Sequence, residues 1–296
     1  MATSIRRNDG RSDTGRLERM EKKDCVTGAQ AETVAELGAL FCLDRATTRI
    51  ISMGIMKPSL ILPFLLIFLV SAPANPPCVT TACSESIKEI KDCPDDGCTR
   101  EKGHEFDQQL DKLKNIRSDG QQPVLRSIRW MKGLADPTNF TECGSRDELK
   151  QLGEGQKITV VALALTAKPG SKESCNCDLP DPSNQDNHIV LVDPLAKNPT
   201  LARDEIRSVT AEFTPRVRLD HPNFTRTQLN KLIKKGGGKL LIRVTGLLLF
   251  DSKHFFNPLT RDTNWEIHPV LKMEYCPKGQ TCRADSDENW KDLDND

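Results

Sequence analysis

Five stretches of the chain carry the apolar patterns of β-strands. They are GQKITVVALALTAK (155–168), NHIVLVD (187–193), IRSVTAEFTPRV (206–217), KLLIRVTGLLLFDS (239–252) and NWEIHPVLKMEY (264–275). All five are rich in β-branched and apolar residues, and the third alternates polar with apolar positions as a half-buried strand does. Between the third and fourth, the apolar residues change to helical spacing. Thr225 or Thr227 is the expected N-cap of that helix, and glycines 236–238 its end.

The order of these elements predicts a fold that is mainly β with minor α. Three strands, a helix and two strands form the order of the five-stranded OB-type Greek-key barrel, here over residues 151–276. Gly246 lies inside a long strand, where a barrel needs a bend. We expect strands four and five to form an antiparallel hairpin with Val244, Leu248 and Ile267 facing the core. A β-sandwich is the alternative, but it does not require the helix.

Two segments flank the predicted barrel. Residues 75–150 begin with a cluster of cysteines and then show helical spacing at Phe106, Leu110 and Leu113, so they predict a Cys-rich extension with short helices. Residues 277–296 form an acidic C-terminal tail.

The segment before residue 75 has the pattern of a secretory signal. Residues 56–74 contain one lysine, an apolar run over 60–70 and a small-residue end, so cleavage is expected to leave Asn75 first. The run contains Pro63 and is too short to span a bilayer comfortably, so no membrane span is expected after cleavage. Residues 1–55 are polar and aperiodic. They are predicted to be a non-structural upstream extension, with a cytoplasmic tail before a signal anchor as the alternative.

An exported chain predicts disulfides. Eleven cysteines are present, and subtracting Cys25 and Cys42 leaves nine, an odd number, so at least one thiol is free, ligated or paired between chains. The disulfide candidates are Cys78, Cys83, Cys93, Cys98, Cys143, Cys175, Cys177, Cys276 and Cys282. A bond between Cys175 and Cys177 would be strained, so each is expected to pair elsewhere or to help bind a metal. The predicted location is secreted or periplasmic.

Charge disfavours nucleic acid as a partner. The chain has 42 basic and 42 acidic residues; removing the 10 basic and 8 acidic ones before residue 75 leaves 32 and 34. Nonspecific nucleic-acid binding requires a basic field, although a neutral chain can still carry a basic face.

Ionisable side chains that could perform chemistry gather around the turn between strands four and five. They are Asp251, His254, Arg261, Glu266 and His268. A carboxylate that orients an imidazole is a general-base arrangement, and arginine neutralises developing charge. No cofactor is expected from the sequence. The alternative is zinc, with candidate ligands Cys175, Cys177, His188, His254 and His268.

Glu266 and His268 also have a purely structural interpretation. Along a strand they project opposite Trp265 and Ile267, and the core takes the more apolar pair. We therefore expect Glu266 and His268 at the outer face or rim, partly exposed, with Glu266 contacting Arg261.

Several motifs recur in a fixed order: GEGQKITV, ESCNC, NHIVLV, TPRVR, HPNFT, IRVTGLLLFDSKH and TNWEIHPVLKMEY. In these motifs the chain resembles an uncharacterised family of bacterial exported proteins with an OB-like domain and a C-terminal WEIHP motif. The resemblance covers about residues 110–276. It implies a secreted OB-like domain and carries no activity with it.

Two functions follow as hypotheses. The first is a non-catalytic binding module for a cell-envelope glycan or a protein, with Trp130, Trp265, Phe255 and Phe256 as candidate binding residues. The alternative is a hydrolase, such as a metal-dependent phosphodiesterase or nuclease, that uses the His/Asp/Glu/Arg cluster. Convergence of that cluster in one cleft favours the enzyme, and dispersal favours the binding module.

Overall fold

The structure is a computed structural model that describes residues 78–117, 120–255 and 260–295. The upstream extension, the signal segment and Asn75 lie outside the described residues, and so does Phe256. All five stretches that the sequence predicts as strands lie inside them.

The described residues contain seven strands in one sheet. They are β1 (Val124–Arg126), β2 (Lys157–Pro169), β3 (Asn187–Val192), β4 (Val209–Phe213), β5 (Leu240–Phe250), β6 (Trp265–Tyr275) and β7 (Lys291–Asp292). β2 pairs with β3, β3 with β4, β4 with β6, β6 with β5, and β5 returns to β2. The five long strands therefore close into a barrel. β1 adds to β2 and β7 adds to β6 outside it.

The pairing order confirms the OB-like Greek-key barrel and not a sandwich. The third and fifth barrel strands, β4 and β6, pair in parallel at Ala211 and Ile267, and the other barrel pairs are antiparallel. This parallel pairing closes the barrel, which removes the open edges that a sandwich keeps.

The predicted hairpin of β5 and β6 is also confirmed. Leu248 pairs with Ile267, and both are fully buried together with Val244. The register shifts on both sides of Gly246. A Cβ at Gly246 would lie 2.4 Å from the carbonyl oxygen of Pro269, so only glycine permits this close approach.

Six helices lie in the described ranges. They are α1 (Gln108–Lys114), α2 (Ile128–Lys132), α3 (Asp147–Leu152), α4 (Leu201–Asp204), α5 (Pro215–Arg218) and α6 (Arg226–Lys235). The helix between β4 and β5, α6, begins as predicted, since the Gln228 N–H donates to the Thr225 hydroxyl at 3.2 Å. It ends at Gly236. Its apolar face joins the main core, which also contains Trp265 and Phe250.

The Cys-rich extension is bonded to the barrel. Four disulfides join Cys78 to Cys143, Cys83 to Cys98, Cys93 to Cys177, and Cys276 to Cys282. The bond between Cys93 and Cys177 links the extension to the connection between β2 and β3. Cys175, one of the disulfide candidates, is instead a buried free thiol. Of the nine cysteines after residue 75, Cys175 is therefore the one without a disulfide partner among the described residues.

The acidic C-terminal segment packs on the barrel. β7 pairs with β6, Leu293 is fully buried in the main core, and Arg243 bonds to Asp287. Residues 277–295 are thus part of the barrel's structure and do not form a separate tail. No helix in the described ranges is long and apolar enough to cross a membrane.

Candidate functional site

Glu266 and His268 lie on the face of β6 opposite Trp265 and Ile267, as the alternation along the strand requires. The expectation that they are partly exposed is wrong, because Glu266 is 1% and His268 0% exposed. The reason is the N-terminal extension, whose helix α1 packs against β6 and covers this outer face. The face that the sequence assigns to the rim is therefore a second buried layer.

His268 is the centre of that layer. Its Nδ1 lies 3.1 Å from Glu266 Oε1 and 3.2 Å from Glu212 Oε2, and its Nε2 lies 3.7 Å from Asp186 Oδ2. Burial alone would lower the pKa of His268, but the Glu212 carboxylate and the hydrogen bonds with Glu212 and Glu266 outweigh it and raise the pKa to about 10. His268 is thus an imidazolium among three buried carboxylates, and Arg261 and Lys114 supply further positive charge beside them.

The same groups are the ones that could hold a metal ion. Ligand atoms of Asp186, Glu212 and His268 lie within 4.8 Å of one another, and so do those of Glu173, Cys175 and Asp186. A metal on His268 must first displace the proton that a pKa of about 10 keeps on the ring at pH 7. We therefore assign this centre as charge-compensated by the protein itself.

The zinc ligands proposed from the sequence do not come together as one set. Cys177 is bonded to Cys93, so its sulfur is not a thiolate. Cys175 faces Glu173, to which its thiol donates at 3.4 Å. His254 pairs with Asp251 and His188 with Glu212, so only His268 and Cys175 belong to the groups that could bind a metal.

The five predicted chemistry residues do converge. His254 Nδ1 lies 2.7 Å from Asp251 Oδ2, Arg261 donates to the same Asp251 oxygen, and the other Arg261 terminal nitrogen lies 3.1 Å from Glu266 Oε2. Glu266 in turn contacts His268. Asp251, His254, Arg261, Glu266 and His268 therefore form one continuous chain of contacts from the surface into the second buried layer.

The outer end of this chain opens into a cleft of about 320 Å³. Its ionisable lining residues are Lys114, Lys168, Glu173, His188, Glu205, Glu212, Asp251, His254 and Arg261. Most of these are paired: Lys114 donates to Glu173 at 2.6 Å, and Lys168 to Glu205. The cleft lies on the outer surface of β3 and β4, from which His188 and Glu212 project as direct cross-strand partners.

Two histidines line this cleft, and a carboxylate holds each of them. The hydrogen bond that His254 Nδ1 donates to Asp251 raises the pKa of His254 against the effect of burial, and the His254 side chain is 50% exposed. Burial alone would raise the pKa of Asp251, but His254, Lys114 and Arg261 hold it well below its usual range. His188 Nε2 lies 3.4 Å from Glu212 Oε1, and His188 and His268 keep the pKa of Glu212 low despite its burial. Both pairs can hold and transfer a proton.

The candidate binding aromatics have mainly structural positions. Trp265 is fully buried, and its indole N–H donates to the Ala135 carbonyl at 3.0 Å, so it is not accessible to a ligand. Trp130 and Phe255 are partly buried against the core, with the guanidinium of Arg126 over the Trp130 ring. Phe256 lies outside the described residues.

Sequence reasoning missed four residues of this site: Lys114, Glu173, Asp186 and Glu212. The sequence pattern could have indicated Glu212, because this residue occupies a polar position in an alternating strand, as His188 does. Only the strand register shows that these two positions are opposite each other. Lys114 and Glu173 lie 59 residues apart, and no local pattern predicts their contact.

Comparison with known proteins found no matching protein-family model, no matching curated protein and no matching solved structure. The resemblance to a family of exported bacterial proteins therefore stays a prediction. The OB-like description rests on the strand order and directions of this chain. The function likewise has to be inferred from the residues that line the cleft.

Proposed function

We propose that the protein is an exported hydrolase that cleaves a phosphodiester by general acid–base chemistry in the cleft on β3 and β4. One observation carries the proposal: His254, bonded to Asp251, and His188, 3.4 Å from Glu212, line the same cleft as Arg261. Three of the five predicted residues, Asp251, His254 and Arg261, line this cleft, which supports the enzyme, while Glu266 and His268 lie buried behind it.

His254 supplies the acid. It is half exposed, and Asp251 accepts a hydrogen bond from its Nδ1 and raises its pKa, which favours the protonated ring. An acid in this state can protonate the oxygen that leaves phosphorus.

His188 supplies the base. Glu212 lies beside its Nε2 and stabilises the imidazolium that forms when the ring accepts a proton. The side chain is 33% exposed but its Nε2 is buried, so Nδ1 is the nitrogen that would accept the proton of the attacking water.

Arg261 stabilises the charge that develops on the phosphoryl oxygens. Asp251 and Glu266 hold its guanidinium from two sides while it lines the cleft. A fixed cation needs little reorganisation during reaction, which is why such groups lower barriers. Glu266 and His268 act through Arg261 and Glu212 and are positioning residues.

The reaction balances with these groups alone. A water oxygen forms a bond to phosphorus while His188 takes one of its protons, and the bond from phosphorus to the leaving oxygen breaks. His254 gives its proton to that oxygen, and proton exchange with solvent restores both histidines.

A binding module is the second candidate, and the extent of charge pairing favours it. Lys114, Lys168, Arg261 and His254 each have a carboxylate partner without any substrate present. The outer surface of the second and third strands is also a face on which OB barrels bind ligands. A cell-envelope glycan or a protein would then be the ligand.

The location that suits either function is secreted or periplasmic. Four disulfides within the described residues support an oxidising compartment. The signal pattern of residues 56–74 supports the same proposal.

The experiment is turnover of a small phosphodiester, bis(4-nitrophenyl) phosphate, together with binding to a glycan panel. We expect His188→Gln to lower kcat/KM about 100-fold or more. The control is His104→Gln, at a half-exposed histidine outside the cleft that also has a carboxylate beside it, Glu101. Glycan binding without any phosphodiester turnover would instead establish the binding module.

A further inference from the structure

A second groove, of about 440 Å³, lies on the surface formed by α2, the end of β3 and α4. Its basic lining residues are Arg129, Lys132, Lys197, Arg203 and Arg207. Only two acidic residues, Asp193 and Asp204, line it with them. Five positive and two negative charges leave an excess of three, in a chain whose formal net charge is zero. The groove is therefore a local basic field.

The two carboxylates in the groove are already engaged. Asp204 accepts from the Thr200 N–H at 2.7 Å and from the Arg203 guanidinium. Asp193 accepts from the Leu195 N–H at 2.8 Å. Neither carboxylate is left over to neutralise the other basic side chains.

Arg129 and Lys197 have no partner among the residues that the structure describes, and Arg207 interacts with Asp204 only through the electrostatic attraction that helps to lower the Asp204 pKa. Lys132 pairs with Asp262 and Arg203 with Asp204, whereas the exposed side chains of Arg129, Lys197 and Arg207 make no hydrogen bond or ion pair within the described ranges. Exposed cations that the fold does not use are available to an anionic ligand.

The groove and the cleft lie next to each other, separated by a short segment of chain. Asp204 and Arg207 line the groove, while Glu205 and Ser208, in the same segment, line the cleft. A second link runs from Lys132 to Asp262, whose N–H donates to the Ser208 carbonyl. Asp262 directly follows Arg261 in the chain. The cations of the groove and the arginine of the cleft therefore lie on either side of the contact between Ser208 and Asp262.

We infer that the groove binds the phosphates flanking the cleaved linkage, so that the substrate is a polymeric phosphodiester and not a small one. This inference rests on the proposed function, and it names the substrate class of that site. Phosphates repeat along such a polymer, and each one that meets a lysine or arginine releases counterions. The formal neutrality that disfavours nucleic acid is a property of the whole chain and not of this groove.

The test measures binding and turnover separately. The variant is Arg129→Glu/Lys197→Glu/Arg207→Glu in the full chain. The control is Lys88→Glu/Lys102→Glu/Lys278→Glu, which makes the same charge change at exposed positions outside the groove. The probes are a fluorescent single-stranded oligonucleotide and poly(glycerol phosphate), each titrated at several salt concentrations, with bis(4-nitrophenyl) phosphate for turnover.

The groove variant is expected to bind at least one of the two polymers about tenfold or more weakly than the wild type. Its plot of log affinity against log salt concentration is expected to be shallower by about 2, since each single-strand phosphate contact contributes about 0.7. The control is expected to bind within about twofold of the wild type, and both variants to keep their turnover of the small diester. Which polymer binds more tightly distinguishes the two sources of the phosphodiester.

Equal polymer binding by the groove variant and the control overturns the inference, whatever the turnover. Wild-type binding to anionic lipid vesicles with no binding to either polymer overturns it as well, because the groove would then bind a membrane surface. Absence of turnover of both the small diester and the polymers by the wild type removes the proposed function, whereas polymer binding by the groove is measured without catalysis.

Discussion

Nδ1 of His268 lies 3.1 Å from Oε1 of Glu266, and both side chains are almost completely buried beneath the N-terminal extension. Glu266 also contacts Arg261, which lines the open cleft. The pair is thus a buried support for the cleft. Any effect it has on chemistry passes through Arg261 and Glu212.

Replacing Glu266 with glutamine is expected to destabilise the fold by about 3 kcal/mol, because it removes one partner of a buried ion pair and leaves Arg261 partly unpaired. A partly exposed rim carboxylate would contribute only about 1 kcal/mol. The free energy of unfolding in urea measures the difference. Glu85→Gln, at an exposed position, is the control, and equal stability of the two variants would show that the buried pair contributes little.

The pKa of His268 predicts a loss of stability at alkaline pH. Its folded-state pKa of about 10 lies above the ordinary 6.5, so its contribution is complete below about pH 6.5 and is lost as pH rises through 10. The charged groups that face it are Glu212 on β4, Glu266 on β6, Asp186 before β3 and Lys114 on α1. The free energy of unfolding should fall by about 1.4 kcal/mol per pH unit from this group within that window.

Urea unfolding between about pH 6 and about pH 9.5 measures this slope, and His268→Gln should flatten it. Because that variant removes a buried cation and could fail to fold, the imidazole is also followed by NMR in the wild-type protein. Titration of His268 near its ordinary value would contradict the assignment of a buried imidazolium.

The sequence predicts the features of this fold that depend on neighbouring residues, and it does not predict those that depend on contacts between distant parts of the chain. The cap at Thr225, the bend at Gly246 and the inward positions of Val244 and Leu248 follow from local geometry, and the structure confirms them. The order of the strands and the helix along the chain could also be predicted from the sequence, because each of these elements has its own periodicity.

Burial of the outer face was not predictable in this way. It depends on the extension folding back over β6, and the Cys93–Cys177 bond that fixes the extension spans 84 residues. The same applies to Asp186 and Glu212, whose carboxylates meet His268 only after three separate parts of the chain have paired. Local periodicity therefore predicts the barrel, and long-range contacts build the site.

The protein is expected to keep its stability without a divalent metal, because His268 and Lys114 already supply positive charge to the carboxylates that a metal would bind. Treatment with a chelator should leave the Tm unchanged to within about 1 °C, a shift that corresponds to less than 0.5 kcal/mol. Elemental analysis of the untreated protein is the companion measurement. Stoichiometric zinc together with a Tm that falls by several degrees on chelation would contradict the charge-compensated assignment.

The exported protein is expected to begin at Asn75, because the apolar run over 60–70 ends in small residues before it. The described residues begin at 78, and the first disulfide cysteine is Cys78, so cleavage at this point would leave every disulfide intact. N-terminal sequencing of the secreted product tests this directly. A product that retains residues 1–55 would contradict it.

The central claim, that His254 protonates the leaving oxygen of a phosphodiester in the cleft, predicts a dependence on the leaving group. The decisive measurement is kcat/KM of wild type and His254→Gln on two substrates, one that releases a weakly basic nitrophenolate and one that releases an alkoxide. The account predicts a loss of about 100-fold or more with the alkoxide, which needs the proton, and a much smaller loss with nitrophenolate. Equal losses on both substrates, or no turnover of either by the wild type, would contradict it.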